Sequence, residues 1–476
     1  MKKPAPTPQT TPGKRPRRSA PVRLLGLSLA CLAGLSACAP GGADSADAEP
    51  APIEVPPPVE QTNEGLTIFY TDYNEVEAKI LDAAISQFNQ QHPDTPVTAD
   101  KHFADGLYTS HQDAYTKMIT EVMAGDGPDL FLYDFLTMDV EKMARRGVFA
   151  DLEPYFEADH FDWSGYNQAV MEGGVWDGHR LVVPLSYSLP VLYTSQTALD
   201  ETGFTVENCG TFDGFLDEVE KIESDPKQTR EAFRSEEAFY YFPYNSGLPY
   251  VDYDRQTADL SFPELEQGAS IYKNLKPVLA PGFADGSDMA GAADIRDGKC
   301  LFTCPDFSLY GFFLAAGCIN KLDDAVMLPI RDTQGGIRAR ISSAIAVRNS
   351  SSNLQVAYEF IKFLLSEEFQ LDTIGWRWQH FSVLDAANER YYIENTVERD
   401  NSMIAPDNPY GFEGNIVLPQ ADYDELASYM DEVGGVFFYT ADTNFMRQIK
   451  DYLSGNASYQ EAVHAAERQM ELYLSE

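Results

Sequence analysis

The chain has few basic residues, few cysteines and no long apolar run, and each shortage excludes something. Its 476 residues carry 35 Lys and Arg against 74 Asp and Glu, a formal net charge of −39. A surface that acidic repels phosphate backbones and anionic headgroups, which argues against any nucleic-acid partner. The acids are scattered, without a block of five or six like charges, and so form a solubilising surface and not an acidic tail. Nothing reaches 18 consecutive apolar residues, so no segment has the pattern of a membrane-spanning helix. The signatures G-x-S-x-G, H-E-x-x-H and the phosphate-cradling P-loop are missing. What is present is 44% hydrophobic and 23% charged residues, the mixture of a globular chain long enough for more than one core.

The charge is unevenly placed. Seven basic residues precede position 24, and no acid precedes Asp44. Behind the basic stretch runs an apolar segment, Leu24 to Leu35, too short to cross a bilayer and typical of an export signal. Leu35-Ser36-Ala37-Cys38 resembles the lipobox of bacterial lipoproteins. That resemblance implies a signal peptide over 1–37, a lipid on Cys38 and an extracytoplasmic protein anchored at the cell membrane. Plain secretory cleavage with an unmodified Cys38 is the alternative. Residues 38–63 are rich in Pro, Ala and acids, a composition that predicts a disordered tether. Of the four later cysteines, Cys209, Cys300, Cys304 and Cys318, an exported protein could pair Cys300 with Cys304 or Cys318.

From Gly65 onward strand and helix patterns alternate. Leu66–Tyr70 and Asp129–Tyr133 read as short strands, and Val76 to Phe88, Tyr115 to Met123 and Met138 to Arg146 repeat at helical spacing. This order predicts an α/β fold with a mostly parallel sheet whose strand carboxyl ends carry the ligand. Leu181–Leu185, Val191–Tyr193, Ala325–Pro329 and Ala344–Arg348 read as further strands. Phe212 to Ile222, Val356 to Leu365 and Ser458 to Leu474 read as helices, and the aromatic-rich stretch 225–263 as long loops.

Several segments then resemble, in order, the extracellular solute-binding proteins of ABC importers, the family of maltose-binding protein. They are Ala124–Asp134 (AGDGPDLFLYD), Trp176–Pro184 (WDGHRLVVP), Val191–Thr194 (VLYT), Gly210–Phe215 (GTFDGF), Asp297–Pro305, Ile345–Gln370 and Leu453–Ala462. His179, Val182 and Thr194 depart from the family's usual residues. The resemblance implies a two-lobed periplasmic-binding-protein-like fold, with two mixed sheets, flanking helices and a multi-strand hinge. Lobe one is expected at 64–184 plus 330–380, and lobe two at 186–325 plus 384–476. It further implies a monomer without cofactor or resident metal. Such a protein binds a small solute, here a carbohydrate, in the interlobe cleft and delivers it to a permease without chemistry.

Sugars need flat apolar faces and polar groups for paired hydrogen bonds. The expected ligand contacts are Asp72, Tyr73 and Asn74 after the first strand, and Tyr133, Asp134 and Phe135 after the second. Tyr187 and Ser188 stand at the first interlobe crossing; Asp306, Phe307 and Tyr439 complete the set. Trp376 and Trp378 could equally line the cleft or fill a core. The acidity leaves room for a polyamine, and adjacent Tyr240 and Tyr241 for ferric iron, on the same fold. A surface-anchored glycosidase is the alternative from another class.

Overall fold

The computed structural model describes residues 52–70, 75–100, 111–133, 138–234, 236–275, 294–295, 297–302, 324–372, 380–396 and 420–476. The chain opens with β1 (Leu66–Phe69), α1 (Glu75–Gln91), β2 (Val97–Asp100), α2 (His111–Met123), β3 (Leu130–Leu132) and α3 (Val140–Arg145). Only β2 escapes the sequence pattern, because its four residues offer a single large apolar side chain. Helices α4 (Glu153–Ala158) and α5 (Gln168–Glu172) lead to β4 (Val175–Trp176), β5 (His179–Arg180), β6 (Val182–Ser188) and β7 (Val191–Ser195).

Next come α6 (Gln196–Thr202), α7 (Phe212–Glu223), α8 (Glu237–Asn245), β8 (Val251–Asp252), β9 (Thr257–Ala258) and α9 (Pro263–Leu275). Helix α8 lies inside the stretch expected to be loops. Pro243 interrupts its helical hydrogen bonding, but Phe239 and Phe242 are buried in a core, and their burial outweighs the helix-breaking proline. The chain continues through β10 (Ala325–Pro329), β11 (Ile337–Val347), α10 (Leu354–Leu365), α11 (Glu367–Asp372), β12 (Phe381–Ser382) and α12 (Asp385–Thr396). It ends with α13 (Gln420–Asp431), β13 (Val433–Phe437), α14 (Phe445–Gln448), α15 (Lys450–Leu453) and α16 (Tyr459–Ser475).

One seven-stranded mixed sheet, six strands in the order β12-β6-β11-β3-β1-β2 with β13 joining β11 off that path, organises the first core. β2 and β3 run parallel to β1, whereas β11 lies antiparallel to both β3 and β6. β11 is long enough to serve two neighbours on the edge opposite β6. Its end, Ile345–Val347, pairs with β3, and its beginning, Ile337–Arg340, pairs with β13 in parallel. Helix α10 covers the sheet with Val356, Phe360, Ile361, Leu364 and Leu365 at helical spacing, all buried. The second core gathers Phe212, Phe215, Phe233, Phe242, Leu328, Ile449 and Met470 around α7, α8, α9 and α16. Among the described residues its sheet is the antiparallel pair β7–β10.

Two boundaries differ from the sequence expectation. Tyr391, Tyr392, Tyr423, Leu426, Met430 and Val433 belong to the first core, although 384–476 was assigned to the second lobe. Stacking of Tyr392 on Tyr423 joins α12 to α13, and Asn167 donates to the Met430 carbonyl at 2.9 Å, tying α13 to the start of α5. The chain joins the second core only at Phe445. The stretch 52–64, most of it placed in the tether, also lies against the body. The Ile53 amide donates to Asp177, Gln61 exchanges bonds with Ser351 and Leu354, and the Thr62 amide donates to the Ser352 carbonyl. Local composition could not show this, because the partners lie far along the chain.

Candidate functional site

The two cores meet at a seam built on β13 and the residues that follow it. Successive side chains of an extended segment point to opposite faces. Val436 and Phe438 accordingly pack on the first core, while Phe437 and Tyr439 turn toward α8 and cluster with Tyr240, Tyr241 and Tyr244. Phe438 meets the Tyr133 ring edge-on at 5.4 Å and lies 6.1 Å from Trp176. On the other face Tyr244 stacks on Phe437 at 5.0 Å, and Tyr439 lies 5.6 Å from Tyr241. The Tyr133 hydroxyl closes the seam by donating to the Tyr439 carbonyl at 2.8 Å.

Beneath these rings lies a buried cation. Arg340 on β11 stands in register with Ser188 of β6 on one side and Phe437 of β13 on the other. It is 4% exposed, with its guanidinium 5.3 Å from the Tyr241 ring centroid, within the range of a cation–π contact. Arg338, two residues earlier on the same face of the strand, donates to the Val436 carbonyl at 2.9 Å. Burial lowers the Arg338 pKa from its ordinary value. The seam therefore brings together flat rings from both cores, tyrosine hydroxyls and a buried guanidinium.

Of the expected ligand contacts, Tyr133, Tyr187, Ser188 and Tyr439 are all buried. Tyr133 and Tyr439 touch. Ser188 adjoins Arg340 through strand register, and Tyr187 packs on Phe381 of β12 at 5.6 Å. Asp72, Tyr73, Asn74, Asp134, Phe135, Asp306 and Phe307 lie outside the described residues, as do Trp376, Trp378, Cys38, Cys304 and Cys318. Tyr240 donates to Glu236 at 3.1 Å, and burial beside that carboxylate pushes its phenol up to about 12, so it keeps its proton at neutral pH. Tyr241 packs against Tyr439 in the same cluster that Tyr240 joins. Among the described residues no group of three His, Cys, Asp or Glu could hold a metal, and no helix is long and apolar enough to cross a membrane.

Arg340, Tyr244 and Phe437 were not singled out by sequence. One signal was available: two arginines at alternate positions in a central strand whose other residues are apolar or serine, within a chain short of basic residues. A groove of about 380 Å³ between α4 and α10, lined by Tyr155, Asp159, Tyr358 and Glu359, contains none of the expected contacts.

The class to which this chain's sequence assigns it is that of the bacterial extracellular solute-binding proteins. Residues 72–371 match the model of that family, and the chain belongs to it. Solved structures agree on the two-lobed fold. The sugar-binding protein MalE from Xanthomonas citri is similar at 12% identity and a TM-score of 0.56, over 86% of this chain and 97% of that one. The GacH receptor of Streptomyces glaucescens, solved unliganded and with acarbose, is similar at 17% identity and a TM-score of 0.53, over 87% and 98%. A periplasmic oligogalacturonide-binding protein from Yersinia enterocolitica is similar at 14% identity and a TM-score of 0.55, over 86% and 99%. No curated protein sequence matches the chain.

Proposed function

We propose that the protein is a lipid-anchored extracytoplasmic receptor that captures a carbohydrate between its two cores and hands it to the permease of an ABC importer. The observation that carries this reading is the seam itself. Aromatic rings from both cores converge beside Arg340, and such faces stack on the apolar side of a sugar ring while buried donors take its hydroxyls. The sugar ligands named for the similar structures support the same solute class. Ligand contacts are assigned to Asp72, Tyr73, Asn74, Tyr133, Asp134, Phe135, Tyr187, Ser188, Asp306, Phe307 and Tyr439, joined now by Tyr241 and Arg340. Residues 1–37 act as the signal and Cys38 as the anchor.

A thermal-shift screen of the protein beginning at residue 39 tests the solute class, because a ligand that binds only the native state raises its Tm. Malto-oligosaccharides and oligogalacturonides should raise Tm, while spermidine and ferric citrate should not. The opposite pattern would replace carbohydrate by amine or metal. Oligosaccharide recovered from the protein should be intact, since a new reducing end would mark a glycosidase. Cys38→Ser should move the full chain from the membrane fraction to the soluble one, and retention would remove the anchor.

A further inference from the structure

We propose that Asp139 is a positioning residue for solute binding, whose carboxylate latches the second core onto helix α3 of the first and slows release of the solute. The proposal rests on the solute-binding reading, in which the two cores must part to admit a ligand.

Asp139 is 4% exposed and sits six residues beyond Tyr133 in the chain. One carboxylate oxygen caps α3 by accepting from the Lys142 amide at 3.0 Å. The other accepts from two hydroxyls of the second core, Tyr473 at 2.9 Å and Tyr253 at 3.2 Å. Tyr253 lies in the turn between β8 and β9, and Tyr473 in the last turn of α16, so one carboxylate gathers two separate elements.

The surroundings make the contact reciprocal. A helix carboxyl end leaves carbonyls without partners and carries partial negative charge, so cations belong there. The last turn of α16 contains no basic residue of its own. Cations from the other core take that place. Lys142 donates to the Tyr473 carbonyl at 2.5 Å with its ammonium 3.8 Å from the Tyr473 ring centroid, and Arg146 donates to the Leu474 carbonyl at 3.0 Å. Arg145 pairs with Asp254 in the β8–β9 turn. Helix α3 thus turns its amino-terminal carboxylate and the cations Lys142, Arg145 and Arg146 toward the second core, Arg145 also pairing with Glu141 of its own helix. Each of these bonds breaks when the cores separate, so the set adds to the barrier for opening and leaves the ligand contacts untouched.

The test is the double variant Tyr253→Phe/Tyr473→Phe, which removes both hydroxyls and keeps Asp139 as the α3 cap. Lys142→Met is the second, independent variant. Small-angle scattering of the ligand-free protein should show a larger radius of gyration in both, with unchanged helical circular dichroism. With maltotriose as the probe, the dissociation rate should rise about tenfold for each hydroxyl lost, since bonds to charged groups contribute roughly that factor or more. The association rate should change much less. A lowered Tm with scattering curves superimposable on the parent in both variants overturns the latch and leaves Asp139 a structural residue. Failure of maltotriose to bind the parent protein would count against the choice of sugar, and scattering alone would then decide the latch.

Discussion

The hydroxyl of Tyr133 donates to the backbone carbonyl of Tyr439 at 2.8 Å across 306 residues of sequence. One partner follows β3 at the edge of the first core, and the other follows β13 where the chain turns to the second. Neutral hydrogen bonds of this kind contribute about 0.5–1.5 kcal/mol net. Tyr133→Phe keeps the ring against Phe438 and should lower unfolding free energy by about 1 kcal/mol in a urea titration. Solute affinity should fall with it, and an unchanged affinity would place Tyr133 outside the site.

Tyr241 contributes a ring face between Arg340 and Tyr439. Tyr241→Leu fills most of the volume but removes the flat face. The variant should remain folded by circular dichroism and lose most of the sugar-dependent rise in Tm. A full thermal shift in this variant would take the seam out of ligand binding.

Asn167 does two jobs with one side chain. Its oxygen accepts from the Val170 amide at 3.1 Å to cap α5, and its amide nitrogen donates to the Met430 carbonyl at 2.9 Å. A lost cap costs about 1 kcal/mol, and a buried carbonyl left without its donor about 1–3 more. Asn167→Ala should therefore destabilise by about 2–4 kcal/mol in chemical denaturation, whereas Asn167→Ser should recover the cap alone.

Gly174 faces the carbonyl of Val182 so closely that a Cβ would overlap it. The obstacle is backbone of a central strand and cannot rotate away. Gly174→Ala should cost several kcal/mol, comparable to the severe tail of single substitutions, and greatly reduce soluble yield. Gly178→Ala has open space but a φ of +82°, so it should cost only about 1 kcal/mol of backbone strain.

Burial holds Asp139 above the ordinary carboxylate range, despite the opposing bonds from the Lys142 amide, Tyr473 and Tyr253. The folded state then keeps a proton that the unfolded chain releases near pH 4. Between those two values the native protein binds more protons, so this group's contribution to stability falls as pH rises through the window. Asp139→Asn should flatten that limb of the stability–pH curve measured by denaturant titration. An unaltered slope would show that other carboxylates produce it.

Strand–helix alternation was legible from Leu66 to Arg146, β2 excepted, because every other element there carries its own apolar period. The amphipathic α10 and α16 were legible for the same reason, α16 helped by the Ser458–Glu461 capping box. Helix α8 was hidden by Pro243 and by aromatics on every side, which leave no polar face to set a period. Of the site, Tyr133 and Tyr439 could be proposed from their places in the chain. Arg340 was legible only as one of two arginines at alternate positions of β11, a spacing that carries no record of what stands beside it.

Composition and periodicity by themselves determined the excess of acidic charge, the α/β class and most elements, while the ordered motifs spoke through their resemblance to a known family. Those properties depend on neighbours a few residues apart, whose spacing is written in the chain. Tertiary structure alone decided that α12 and α13 join the first core, that residues 52–64 lie against the body, and that Asp139 receives Tyr253 and Tyr473. Such contacts link residues more than 100 positions apart. They form only because packing two cores brings distant backbone together, and no local pattern encodes which surfaces will meet.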